Sequence, residues 1–184
     1  MKVYLAGPDV FLSDAKAIGR RKCAICADHG LVGLFPLDNE IDPTRRDASM
    51  AIFQANTRMM QDADAVVANL TPFRGPSADA GTVYELGFVA ALGKFCTGYS
   101  NVPGVYLDRV AGTRALGGAA EFHDESGLVI EDFGLADNLM IVHALDLYGH
   151  ALIVPSQTPI DIWHDLTAFE ACVRLVATRL WTGS

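Results

Sequence analysis

No glycine-rich phosphate loop occurs in this 184-residue chain. The first apolar run ends in AGPDVF, which is not G-x-G-x-x-G, and there is no G-x-x-x-x-G-K-S/T. A pyrophosphate therefore lacks both of its common cradles. H-E-x-x-H and G-x-S-x-G are absent as well. The histidines, His29, His123, His143, His150 and His164, share no ligand spacing, and His29 falls at a helix end, where an imidazole suits the dipole. No metal site and no cofactor are expected.

Cysteine is scarce, with only Cys23, Cys26, Cys96 and Cys172. The first two form a C-x-x-C, but no second Cys or His pair stands at zinc spacing. That pair falls inside a helical pattern rather than at a helix start, where a thiolate is stabilised. The thiols are expected in or near the core. Basic charge is also short, since 14 Lys and Arg face 22 Asp and Glu for a net charge of −8. Nucleic acid and anionic membrane both require clustered positive charge, so neither is an expected partner. No apolar run reaches transmembrane length. The start MKVYLAG has no signal-peptide hydrophobic core, and a cytoplasmic location is expected.

Apolar residues are plentiful. They make up 51% of the chain against 20% charged, which supports one ordered domain over residues 1–184 with a core of its own. Apolar runs at 2–6, 31–35, 64–70 and 95–99 read as strands. Helical patterns occupy about 14–29, with Ala17, Ile18, Cys23, Ala24 and Ala27 in phase, then about 44–62 and 161–180. Two further apolar runs, 139–147 and 151–154, supply one or two more strand candidates, and 100–137 is glycine-rich and irregular. Strand and helix alternate through short connections. This predicts an α/β fold, a doubly wound, mostly parallel sheet of about five strands with helices on both faces, flavodoxin- or Rossmann-like. Such sheets bind ligands beyond the carboxyl ends of their strands. The loops there carry Asp9, Asp38, Asn39, Glu40, Arg74, Ser77 and Asp79.

The stretch 71–94, TPFRGPSADAGTVYELGFVAALGK, organises the rest. Its first half has loop chemistry, and from Val83 it reads as a buried helix. Glu85 is the lone carboxylate in that apolar half, and a charge so placed must be paired, hydrogen-bonded or used. On one helix Asp79 and Glu85 would diverge by about 240°. With Asp79 in the loop and Glu85 in the helix, both can face one cleft and divide nucleophilic and acid–base work at an anomeric carbon. A structural reading stands beside this one. Thr82-Val83-Tyr84-Glu85 matches a capping box, and Asp79 is an alternative N-cap. Asp38, Asn39 and Glu40 equally suit a turn.

NLTPFRGPSADAGTVYELGFVAALGK, preceded by YLAGPDVF, closely resembles the nucleoside 2-deoxyribosyltransferases. The resemblance runs from the first strand to about Asn138. It implies transfer of 2-deoxyribose between nucleobases, with 2′-deoxynucleosides and free purine or pyrimidine bases as small-molecule partners. Glu85 matches the family's nucleophile, and Asp79 its proton-handling aspartate. Tyr4 matches a tyrosine that positions the nucleophile, although alone it reads as an ordinary strand aromatic. Substrate-binding residues implied in the same way are Gly7, Phe11, Asp38, Glu40, Asn56, Arg74, Asn138 and Met140. Asn56 stands where some members have aspartate. The segment of Asn138 resembles one that completes a neighbouring subunit's site, which implies a homo-oligomer. The chain departs from shorter members in continuing through a full helix beyond residue 160, so the role their terminal carboxylate plays is not carried over. The same residues also suit an N-glycosidase, with Arg74 and Ser77 as donors to a 5′-phosphate, or a non-catalytic nucleoside-binding module.

Overall fold

The computed structural model describes all residues except 40, 43, 111, 115–121, 183 and 184; for 112–114 and 180–182 only the backbone is described. Four strands, β1 (Lys2–Ala6), β2 (Val32–Leu34), β3 (Ala65–Asn69) and β4 (Phe95–Tyr99), pair in parallel in the order β2-β1-β3-β4. The sheet is thus doubly wound, and the strand order reverses between β1 and β3. That switch point is where such sheets open a crevice.

Residues alternate between the two faces of each strand. Val3 and Leu5 of β1, with Ala65 and Val67 of β3, pack into one core under α1 (Ala15–Asp28) and α6 (Thr167–Thr182). Tyr4 and Ala6, with Val66 and Ala68, join a second core under α2 (Ala48–Asp62), α3 (Ala80–Ala91) and α5 (Leu139–Tyr148). The parity of Tyr4 thereby sends its side chain to the α2/α3 face. Each α2-to-strand junction is tied locally as well, since the Lys94 ammonium donates to the carbonyls of Met60 and Gln61 at the end of α2.

Several expectations are corrected. The run 139–147 is helical, with Asn138 capping it by accepting from the Met140 N–H. The expected fifth strand is reduced to two isolated parallel bridges, Cys96 to Gly149 and Tyr99 to Ile153. A Cβ on Gly149 would collide with the Cys96 carbonyl, so only glycine brings the chain this close to β4. Part of the 100–137 segment forms a short helix α4 (Tyr106–Arg109) and an antiparallel sheet of β5 (Gly112–Arg114), β6 (Phe122–Asp124) and β7 (Val129–Ile130). The last helix starts at Thr167 rather than 161, because Asp161 folds back to accept from the N–H groups of Trp163 and His164. The buried stripe of α1 is Ala15, Ile18, Gly19, Lys22 and Cys26, so Ala24 and Ala27 face outward. Cys26 is in the core and burial pushes its thiol up to about 12, an inert state. No helix among the described residues is long and apolar enough to cross a membrane.

Lys22 lies inside that stripe because it has a partner. Its ammonium is 2.7 Å from the Asp9 carboxylate, and both side chains are buried. The Asn69 amide donates to both Asp9 oxygens at 3.2 Å, and the Asn69 carbonyl oxygen accepts from the Thr71 N–H. This network fixes the chain where it leaves β1 and β3.

Candidate active site

The cleft is built from the chain just beyond these strands. After β1, Gly7 leads into a 3-10 turn, Pro8–Phe11. A Cβ on Gly7 would strike the Asp9 carboxylate and Asn69, so the tight exit requires glycine. After β2, a second 3-10 turn, Pro36–Asn39, is held by Asp38 accepting from the Phe35 N–H at 3.3 Å. The turn-forming reading of Asp38 is thus realised, and its carboxylate also lines a small recess with Lys16 and Arg20.

Helix α3 begins at Ala80, not Val83, and Asp79 is its N-cap. One Asp79 oxygen, Oδ2, accepts from the Thr82 N–H at 2.9 Å and from the Thr82 hydroxyl at 3.0 Å. Thr82 lies within the helix, so no capping box runs from it to Glu85. The helix is not buried all round. Thr82, Leu86, Val89 and Ala90 face the core, whereas Tyr84 is exposed. Glu85 sits at the margin of the buried stripe, turned toward β1 and α2.

There Glu85 Oε1 accepts from the Tyr4 hydroxyl at 2.6 Å and from the Asn56 amide at 3.5 Å. The Asn56 carbonyl oxygen in turn accepts from Asn39 at 3.3 Å. Burial raises the Glu85 pKa to about 7; the Tyr4 and Asn56 hydrogen bonds act against this, and the charge of Asp79 adds to it. Burial also drives the Tyr4 hydroxyl far above its ordinary range, so it remains a donor at any working pH. Oε2 of Glu85 and Oδ1 of Asp79 take no hydrogen bond among the described residues, which leaves one oxygen of each carboxylate open.

Beside this pair lies a cleft of about 540 Å³ lined by Val10, Pro36, Leu37 and Ile52, with Asn39 and Asn56 among its polar groups. Apolar walls with a few convergent amides suit a flat heterocycle. An aromatic cluster gathers where the chain has left β1 and β3. Phe11 stacks on Phe73 at 5.3 Å, Trp163 meets Phe73 edge-on at 6.0 Å, and the Arg74 guanidinium lies 5.1 Å and 4.7 Å from the Phe11 and Phe73 rings. Arg74 has a φ of 55°, a left-handed backbone that a side chain rarely adopts. Such strain persists only where the surroundings hold it.

The structure therefore brings Tyr4, Glu85, Asn56 and Asp79 together, whereas Phe11 and Arg74 meet each other in the aromatic cluster. Asn138 and Met140 do not reach the Tyr4–Glu85 group. The Asn138 amide donates to Glu131 at 2.5 Å, and Met140 is 72% exposed. Glu40 lies outside the described residues. Sequence reasoning did not single out Asn39 as the partner of Asn56, nor Phe73 and Trp163 as the ring partners of Phe11 and Arg74. Asn39 belonged to a polar loop already noted, but nothing in its spacing identified its partner. Among the described residues no three His, Cys, Asp or Glu side chains converge as a metal ion would require.

Fold and site together define a doubly wound α/β protein with a desolvated carboxylate joined through Asn56 to a largely apolar cleft. The sequence profile of the nucleoside 2-deoxyribosyltransferases matches residues 3–140, and the chain belongs to that family. A 2-deoxyribosyltransferase from Leishmania mexicana superposes with a TM-score of 0.67 at 28% identity, over 96% of this chain and 97% of that one. A 2-deoxyribosyltransferase from Bacillus psychrosaccharolyticus shares the fold, with a TM-score of 0.52 at 20% identity over 90% of each chain. An uncharacterised protein of Schizosaccharomyces pombe is 31% identical over 97% of this chain and 89% of its own length.

Proposed function

We propose that the protein moves 2-deoxyribose from one nucleobase to another through a covalent ester on Glu85. The observation that carries this reading is the state of Glu85: half-buried, steadied at one oxygen by Tyr4, open at the other, and near enough to Asp79 to sense its charge. Glu85 Oε2 attacks C1′ as the N-glycosidic bond breaks, the bonding pair goes to the departing base, and Asp79 gives that base a proton. An incoming base then attacks C1′ from the vacated side. The ester C–O bond breaks back to the carboxylate, and Asp79 takes the incoming base's proton. Two inversions give retention. The apolar cleft with Asn39 and Asn56 accommodates either base in turn.

Arg74 is committed to two aromatic rings and Ser77 to Asp137, which favours unphosphorylated 2′-deoxynucleosides over nucleotides. Exposed Met140 beside Asn138 supports a homo-oligomer in which this segment completes a neighbouring site. The test is incubation with a 2′-deoxynucleoside in the absence of an acceptor base, followed by mass spectrometry of the intact protein. A deoxyribosyl adduct on wild type that Glu85→Ala lacks is the expected result. Full transfer by Glu85→Ala overturns the reading.

A further inference from the structure

A second buried carboxylate, outside the Tyr4–Glu85 group, holds the chain that carries Asp79. Asp137 is 2% exposed and lies just ahead of α5. One of its oxygens accepts from the Ser77 hydroxyl at 2.5 Å and from the Asn138 N–H at 2.8 Å. The other accepts from the Ala78 N–H at 3.0 Å and lies 3.9 Å from the Arg109 guanidinium. Arg109 completes the clamp by donating to the Pro76 carbonyl at 2.8 Å on one side and to the Ala136 carbonyl on the other. Ser77 and Ala78 are thus bound to a residue some sixty positions away, and Pro76 to Arg109 beside it. Its own turn closes with the Phe73 N–H donating to the Ser77 carbonyl at 3.0 Å.

Asp79 is the next residue. Its carboxylate is held on the helix side by Thr82, but that bond fixes only Oδ2. The direction in which Oδ1 points depends on the backbone arriving from Ala78, and Asp137 anchors that backbone. A buried carboxylate is costly unless its lone pairs are met, and here they are met by the turn before Asp79. Among the described residues the Ser77 hydroxyl and the Ala78 N–H have no hydrogen-bond partner other than Asp137.

We propose that Asp137 is a positioning residue for proton transfer, which docks the 76–78 turn so that the open oxygen of Asp79 faces the cleft. This inference rests on the assignment of Asp79 as the acid–base group of the transferase reading. Because the same carboxylate accepts from the Asn138 N–H, one group sets both the turn of Asp79 and the start of α5.

The experiment is a double-mutant cycle on kcat and KM for base exchange, with Asp137→Ala, Asp79→Ala and the two combined. Asp137→Ala is expected to lower kcat about ten- to a hundredfold with KM little changed, since a displaced acid slows chemistry more than binding. In the Asp79→Ala background the same change is expected to cost nothing further, because there is no acid left to misplace. Asp137→Asn retains a carbonyl oxygen for the Ala78 N–H and is expected to recover part of the loss. Should Asp137→Ala fail to fold, Ser77→Ala removes one of the anchoring bonds and runs the same cycle. Losses that multiply in the double variant, or that fall on KM rather than kcat, overturn the positioning role while leaving the transferase intact. Absence of any base exchange by wild type overturns the transferase reading itself.

Discussion

Replacing Tyr4 by phenylalanine removes one hydroxyl and leaves the buried ring in place, so it probes the proton shared by Glu85 and Asp79 directly. The proposed chemistry needs Glu85 ionised and Asp79 protonated, so the productive protein carries one proton on the pair. Burial gives that proton to Glu85 in the free protein, with a pKa of about 7. Above this pH the pair loses its last proton and kcat/KM falls. The Tyr4 hydroxyl donates to Glu85 at 2.6 Å, and a hydrogen bond to a charged acceptor is worth roughly 1.5–3 kcal/mol. At about 1.4 kcal/mol per pKa unit, its loss raises the Glu85 value by about one to two units. The share of molecules with the proton on Asp79 then drops about ten- to a hundredfold, and the kcat/KM plateau drops by the same factor. The descending limb moves to higher pH by the same interval. At alkaline pH both carboxylates are ionised in both proteins, and the two profiles converge. Base exchange followed by chromatography from about pH 5 to about pH 10 reads all three features. A limb that stays near pH 7 or moves lower, or a loss that is the same at every pH, refutes the shared-proton arrangement.

Two further outcomes are expected. Asp79→Asn keeps an oxygen for Thr82 and so keeps the helix cap, with stability within about 0.5 kcal/mol of wild type, whereas Asp79→Ala loses about 1 kcal/mol; both lose transfer by a factor of about 10² to 10⁴, and an Asp79→Asn protein with full transfer removes Asp79 from the mechanism. Glu85→Gln is expected to be more stable than wild type above pH 7 in urea melts. Burial lifts the Glu85 pKa from 4.5 to about 7, so the wild type loses stability as pH rises through that window and the gain from Gln reaches at most on the order of 3 kcal/mol above it. A stability difference that does not change between pH 5 and pH 8 shows that Glu85 is not desolvated in the folded protein.

The alternation of apolar runs made the parallel sheet legible, down to the bounds of β4 at Phe95–Tyr99. Tyr4 alone read only as an ordinary strand aromatic, and the structure puts it on the face opposite Val3 and Leu5, away from the α1/α6 core. What the pattern could not carry were bonds closed over long distances in sequence. The burial of Lys22 rests on Asp9 from another element, and Asp137, within a segment read only as irregular, is reached by Ser77 and Ala78 from sixty positions away. Periodicity records which face of an element is buried, not which polar group on another element makes that burial tolerable. The 139–147 run failed for a related reason. A short, mostly apolar run, broken only by His143 and Asp146, has no clear alternation to separate strand from helix, and the deciding residue was Asn138, the cap just outside it.

The open question left by spacing, whether Asp79 and Glu85 are helix-start residues or chemical groups, has a structural answer for one of them. With α3 starting at Ala80, the capping box from Thr82 has no helix start to cap, and nothing local accounts for Glu85 at the edge of the core. Asp79 does cap the helix, and the cap itself bears on the proposed chemistry. By accepting from the Thr82 N–H and hydroxyl, Oδ2 is locked against the helix, and Oδ1 is left as the one oxygen able to meet a base. A carboxylate tied at one oxygen loses fewer orientations on reaching the transition state than a free one, which is the advantage that positioning confers. Tyr4 does the same for Glu85, occupying Oε1 and leaving Oε2 open. In both groups the hydrogen bond that looks structural leaves a single oxygen without a hydrogen bond among the described residues.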